Sequence, residues 1–137
     1  LLQANGIATT ICPSAAEGIG TSLAWAVQMT SQATAWIIAL ADMPFIQPAI
    51  IKQVADSICQ PHDIAAPFFE GRRGHPVGFG RTYYSELAQM SGDKGANSIV
   101  LAHSKQVQKL ACNDESVLID IDTVDELQKN YWRRAKH

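Results

Sequence analysis

The stretch Trp36-Ile37-Ile38-Ala39-Leu40-Ala41-Asp42-Met43-Pro44 narrows the choice of folds more than any other part of this chain. Residues 35–41 are short, continuously apolar and β-branched at their centre, the pattern of a strand covered on both faces. Such a strand needs a layer above and a layer below, and is expected to lie at the centre of an α/β sheet. The run stops on a carboxylate, then on Pro44, whose ring removes the donor that further pairing would need. In open α/β sheets ligands bind beyond the carboxyl ends of the strands. Asp42 is therefore either a functional carboxylate or a turn former with Pro44.

Period and punctuation order the remaining elements. The β-branched run 8–12 after Asn5-Gly6 reads as a strand and 13–20 as a loop. Thr21 or Ser22 caps a helix to about Gln32, with Leu23, Ala26, Val27 and Thr30 at helical spacing. Pro48 opens a second helix with Ile50, Ile51, Val54 and Ile58 as its buried stripe. Residues 64–69 and 75–79 read as strands joined by a polar hairpin-like turn, EGRRG. Residues 81–90 and 97–103 read as helices separated by the turn SGDKG. Strands follow at 106–110 and 117–119, then a helix from Thr123 to about 135. Alternating strands and helices predict a mainly parallel sheet in one domain, 1–137, with helices on both faces.

Composition excludes several classes. An apolar share of 47% and a charged share of 18% describe a globular chain. A net charge of -2 argues against a non-specific grip on nucleic acid or an anionic membrane. The longest apolar run is far below the roughly 20 residues of a membrane helix. Cys12, Cys59 and Cys112 are odd in number and widely spaced, so no disulfide framework or zinc site is expected and a reducing cytosol is the natural compartment.

Four segments then carry a resemblance: IALADMPFI (38–46), GRRGHPVGFGR (71–81), GDKGAN (92–97) and DIDTVDEL (120–127), with GIGTSLAWAV (18–27) before them. In this order and at these distances they resemble the MobA-like nucleotidyltransferases, particularly the molybdenum cofactor cytidylyltransferase branch. The resemblance covers nearly the whole chain. It implies a three-layer Rossmann-like fold with a mostly parallel sheet and one antiparallel strand. It also implies transfer of a nucleoside monophosphate, CMP favoured, from a nucleoside triphosphate to the terminal phosphate of molybdopterin, with pyrophosphate leaving. A molybdoenzyme or its chaperone would receive the product.

The chemistry explains the carboxylates. A phosphate nucleophile is already ionised at neutral pH, so the obstacle is repulsion between anions, and a divalent cation with fixed cationic groups answers it. Mg²⁺ takes few protein oxygens and keeps waters and phosphate oxygens. The resemblance assigns the metal to Asp42 and Asp122. Asp120 is the alternative second ligand and shares a face with Asp122 if the segment is extended. Ser22, Arg73, His75 and Lys94 are the candidate substrate-binding residues. Each also has an ordinary structural role open to it: a helix cap, a solvated turn arginine, a backbone organiser and a turn residue. His62, His103 and His137 read as surface histidines, and Trp25, Trp36, Tyr83 and Tyr84 as packing residues.

Departures from the family pattern are equally informative. Nothing matches the family's glycine-rich loop, which holds the triphosphate and much of the base discrimination. Ile19 replaces Met, Asn97 stands where Arg is usual, and Val124 where Pro is usual. The chain is therefore expected to begin inside the domain and to lack tight nucleotide binding by itself. Unpaired edges are expected on 8–12 and 35–41, and with them dimerisation or poor solubility. Two further readings are a transferase acting on a sugar phosphate and a non-catalytic molybdopterin-binding or chaperone-like protein.

Overall fold

The computed structural model describes residues 2–136. In chain order its main elements are α1 (Ile19–Met29), β1 (Ala35–Ile38), α2 (Pro48–Ser57), β2 (Ile64–Phe69), β3 (Arg72–Arg73), β4 (Val77–Gly80), α3 (Tyr84–Ala88), α4 (Asn97–Ala102), β5 (Val107–Ala111) and α5 (Val124–Ala135). Short 3₁₀ turns link several of them.

Two strands, β2 and β4, are paired along both edges, and β2 takes the most partners. On one side it runs parallel to β5 over Ile64↔Val107 to Phe68↔Ala111. On the other it turns at Glu70-Gly71, both at positive φ, and pairs antiparallel with β3 through Phe68↔Arg73 and Phe69↔Arg72. The returning chain then pairs as β4, through Ala65↔Gly78 and Ile64↔Phe79. Between these two ladders the register shifts by two residues. The surplus is taken up by a bulge at residues 74–76, where extra residues bend the strand and re-aim a side chain. β1 closes the order by pairing antiparallel with β4.

β1, β2 and β5 thus share one direction while β3 and β4 oppose it. The sheet is mixed, and β3 and β4, two stretches of one bulged returning strand, run against the other three. β1 is also not central: it pairs with β4 alone among the described residues, and β2 holds the centre. The apolar run of 35–41 was a sign of burial, and the strand ends at Ile38 because residues 39–40 leave the ladder before Asp42.

Alternation along the strands divides the core. Ile64, Ala66, Val77 and Phe79 pack with Val27 of α1, Leu87 of α3 and Ile99 and Val100 of α4. Gly78 has the opposite parity and lies against Val54 and Ile58. α2 starts at Pro48 as expected, and Ile50 and Val54 are buried, but Ile51 is exposed. α1 starts at Ile19 after Gly18, three residues earlier than a Thr21 cap predicts, and buries Gly20, Ala24 and Val27; of the expected stripe Leu23, Ala26, Val27 and Thr30, only Val27 is buried. Trp36 is buried, with its N–H on Thr30 Oγ1 at 3.0 Å.

Two predicted strands do not form. Residues 8–12 are irregular and mostly exposed, held by Thr9 and Thr10 through side-chain hydrogen bonds from Gln3 and Trp25. A β-branched run becomes a strand only where a neighbour supplies ladder partners, and none does so among the described residues. Residues 117–119 fall in a 3₁₀ turn, Glu115–Leu118, capped by Asp114, which accepts from Ser116 N–H. That turn buries Val117 completely, and its carbonyl accepts the His75 N–H at 2.9 Å. The closing helix is as expected, with a reciprocal capping box between Thr123 and Glu126.

Gly74 is where the bulge and the Val117 turn meet. A Cβ there would lie 2.5 Å from the Val117 carbonyl oxygen and 2.6 Å from its Cβ. Gly74→Ala is expected to cost about 1–3 kcal/mol through overpacking, measured by denaturant unfolding. An unchanged midpoint would show that the turn gives way freely.

Candidate active site

The bulge that follows β3 decides which way two candidate residues face. Arg73 and His75 lie on either side of Gly74, and both line one cavity of about 450 Å³. The His75–Pro76 peptide is cis. Arg72, the other arginine of the motif, is exposed and does not line the cavity. The opposite wall comes from α1 and from the chain leaving β1: Ile19, Ser22, Leu23 and residues 38–41. The start of α4 closes a third side with Ala96, Asn97 and Val100.

Two turns lock this third side to α1. Gly20 N–H donates to the Gly92 carbonyl at 2.8 Å, and Gly92 N–H donates to Thr21 Oγ1 at 3.2 Å. A Cβ on Gly20 would sit 2.5 Å from the Lys94 carbonyl oxygen, so this close approach needs glycine. Thr21 therefore ties the two segments together rather than capping its own helix. Ser22 falls in the first turn of α1 and reaches the cavity. Lys94 is exposed, and its neighbour Gly95, not Lys94 itself, is part of the lining.

The acidic residues come together through the backbone. Ile121 N–H donates to the Asp42 carbonyl at 2.7 Å, which seats residues 120–122 beside the end of β1. Asp42, Asp120 and Asp122 are all exposed. Glu126 Oε2 accepts from the N–H groups of Asp122 and Thr123 at 2.9 and 3.1 Å, so α5's own cap holds the Asp122 backbone in place. These bonds lower the Glu126 carboxyl below its ordinary range. Among the described residues, no three His, Cys, Asp or Glu side chains are grouped to hold a metal by themselves. The three thiols are free.

Electrostatics join the two halves of the site. Arg73 is half-buried, and its Nη2 donates to Asn97 Oδ1. Burial pushes its guanidinium below its usual value. His75 is pushed down first by burial and then by the Arg73 charge, while Asp42 acts in the opposite sense. One imidazole thus feels both the cation in the cavity and the carboxylate at the strand end. Its buried Nδ1 has no hydrogen-bond partner among the described residues, an open position of the kind that ligands fill.

Asn97 is the residue that sequence reasoning underrated, since it stood out only as a departure at the end of GDKGAN. The aliphatic walls, Ile19, Leu23, Ile38, Leu40, Val77 and Val100, carried no signal at all, because wall residues have the composition of core residues. His103, read as a surface residue, is half-buried, paired with Glu86 at 2.9 Å and stacked edge-on to Tyr83. His62 is exposed, and His137 lies outside the described residues.

The opposing influences on His75 can be measured by following its imidazole resonances against pH. Arg73→Gln is expected to raise the midpoint and Asp42→Asn to lower it further. Because the folded value lies below the unfolded one, neutral His75 is compatible with the fold above about pH 6.5, and stability falls as pH drops through the window below. His75→Gln should flatten that part of the stability–pH curve.

Comparison with known proteins follows the same lines. Residues 1–107 match the family described as the MobA-like NTP transferase domain. No functionally curated protein matches the sequence significantly. The chain is similar to the crystal structure of Rv0371c from Mycobacterium tuberculosis H37Rv in complex with manganese, at 29% identity and TM-score 0.64, over 79% of this chain and 57% of that one. A second Rv0371c structure from the same organism gives 29% identity and TM-score 0.62, over 76% and 55%. The Rv0371c homolog from Mycobacterium sp. strain JC1 shares the fold at 22% identity and TM-score 0.70, over 94% and 61%. The chain therefore spans between 55% and 61% of the length of these relatives. With its first 107 residues matched, the chain belongs to the MobA-like NTP transferase domain family.

Proposed function

We propose that this chain is the acceptor- and metal-binding part of a cytosolic nucleotidyltransferase of the molybdenum cofactor cytidylyltransferase type, in a three-layer Rossmann-like domain. The observation that carries this reading is the position of His75. It lies in a cavity holding an unneutralised guanidinium, and within electrostatic reach of a strand-end carboxylate. An anion seated against Arg73 and His75 would share the cavity with residues 38–41, the segment that leads to Asp42.

In the proposed reaction an acceptor phosphate oxygen forms a bond to the α-phosphorus of the nucleoside triphosphate, and the bond to the β-phosphate breaks, releasing pyrophosphate. Arg73 holds the acceptor phosphate by charge-assisted hydrogen bonds. His75, with its proton on the open Nδ1, would donate to the same anion. Ser22 and Lys94 complete the polar rim, Ser22 from within the cavity and Lys94 from its solvent side. Asp42 and Asp122, or Asp120 in its place, would hold Mg²⁺, which suits a pair of carboxylates because it retains water and phosphate oxygens. Such a cation, when bound, offsets charge on the triphosphate and on the leaving group. The manganese in the Rv0371c crystal supports a divalent ion here.

The cavity wall favours a cofactor over a sugar phosphate. Polyhydroxylated sugars need many hydrogen-bonding partners, whereas the lining is aliphatic apart from Ser22, Arg73, His75, Asn97 and backbone groups.

The test is transfer from labelled CTP, GTP and ATP to molybdopterin, with Mg²⁺ and Mn²⁺ compared, in the complete natural protein. Asp42→Asn is expected to lower transfer roughly 100-fold or more. Its thermal stability should be intact or slightly raised, because a negative charge near other acids is removed. Turnover at the wild-type rate would leave Asp42 as a turn former only.

A further inference from the structure

We propose that Asn97 is a positioning residue that fixes Arg73 across the cavity without neutralising it, so that the site selects a ligand bearing a phosphate group. The inference deepens the acceptor-site reading and rests on it for the identity of the cavity.

Arg73 differs from the other well-placed arginines. Arg133 pairs with Glu115 and Arg134 with Asp114. Arg81 lies over the Trp36 and Tyr84 rings and donates to backbone carbonyls. Arg73 forms no ion pair among the described residues, and its side-chain partner is the neutral amide of Asn97. A half-buried guanidinium without a counter-ion is costly unless an anion arrives. One donor is spent on Asn97, and the remaining fork can take two phosphate oxygens.

The choice of amide matters for a simple reason. An Asp at position 97 has almost the same shape and would hold Arg73 at least as firmly, but its charge would cancel the attraction for an incoming anion. Asn keeps the geometry and leaves the field. The unpaired His75 Nδ1 in the same cavity supplies a second contact for the anion.

Titration of this chain with inorganic phosphate at neutral pH and low salt, followed by calorimetry, separates the roles. Asn97→Asp is expected to weaken phosphate binding roughly tenfold or more, with an unfolding midpoint equal to or above wild type. Asn97→Ser, which releases Arg73 without adding charge, should weaken it only a few-fold. In the transfer assay Asn97→Asp should raise the acceptor KM and leave kcat largely unchanged. Undiminished phosphate affinity in Asn97→Asp overturns the proposal, as do equal losses in the two variants or no phosphate binding by the wild type. If the Asp variant fails to fold, Arg73→Gln takes its place, and retained phosphate binding there is the overturning result. Phosphate binding that responds as stated in a protein without transfer activity sinks the proposed reaction alone. Transfer with phosphate affinity indifferent to Asn97 sinks this inference alone.

Discussion

Hydrogen bonding along both edges of β2 is the constraint from which the rest of the molecule follows. Ile64, Ala65 and Ala66 are completely buried, so their backbone groups have no water to fall back on and must be paired. One edge binds β5 in parallel, which requires the long α3–α4 crossover. The other receives the chain back through a tight hairpin. The crossover brings α4 and Asn97 to one side of the cavity, and the hairpin brings Arg73 and His75 to the other. After β5 the chain must return past the bulge. It does so through the Val117 turn, which takes the His75 N–H and directs residues 120–122 toward Asp42.

The cavity therefore rests on backbone bonds between segments distant in sequence. His75 to Val117, Gly20 to Gly92 and Ile121 to Asp42 are each single N–H to carbonyl contacts, and each joins a motif to its neighbour. Fixing the backbone in this way leaves the charged side chains little freedom to escape burial. Arg73 remains half-buried, with a neutral amide as its side-chain partner.

Much of the architecture was legible because the relevant signals are local. Pro48 marks a first helical turn, Thr123 and Glu126 form a box readable from their spacing, and Glu70-Gly71 reverses the chain between two apolar runs. Asp42 could be singled out because a charge after a buried run is unusual. The failures share one cause. Residues 8–12 have strand composition but no ladder partner among the described residues, and residues 117–119 have it but are taken by an Asp114 cap and by the burial of Val117. The 35–41 run was expected at the centre and lies at an edge, because continuous hydrophobicity reports burial and says nothing of which strands lie alongside.

The sequence by itself determined the residue types of the site and their motifs: a strand-end carboxylate, an acidic pair before a capped helix, and an Arg-Gly-His run after a tight turn. These depend on neighbours within a few residues, where propensity and capping act. Only the tertiary structure decided that Arg73 faces inward while Arg72 faces water, that its partner is a neutral amide 24 residues away, and that His75 shares one cavity with that cation. Those outcomes depend on the two-residue register shift between β3 and β4. At that shift Gly74 packs against Val117, a contact between segments that no local pattern connects.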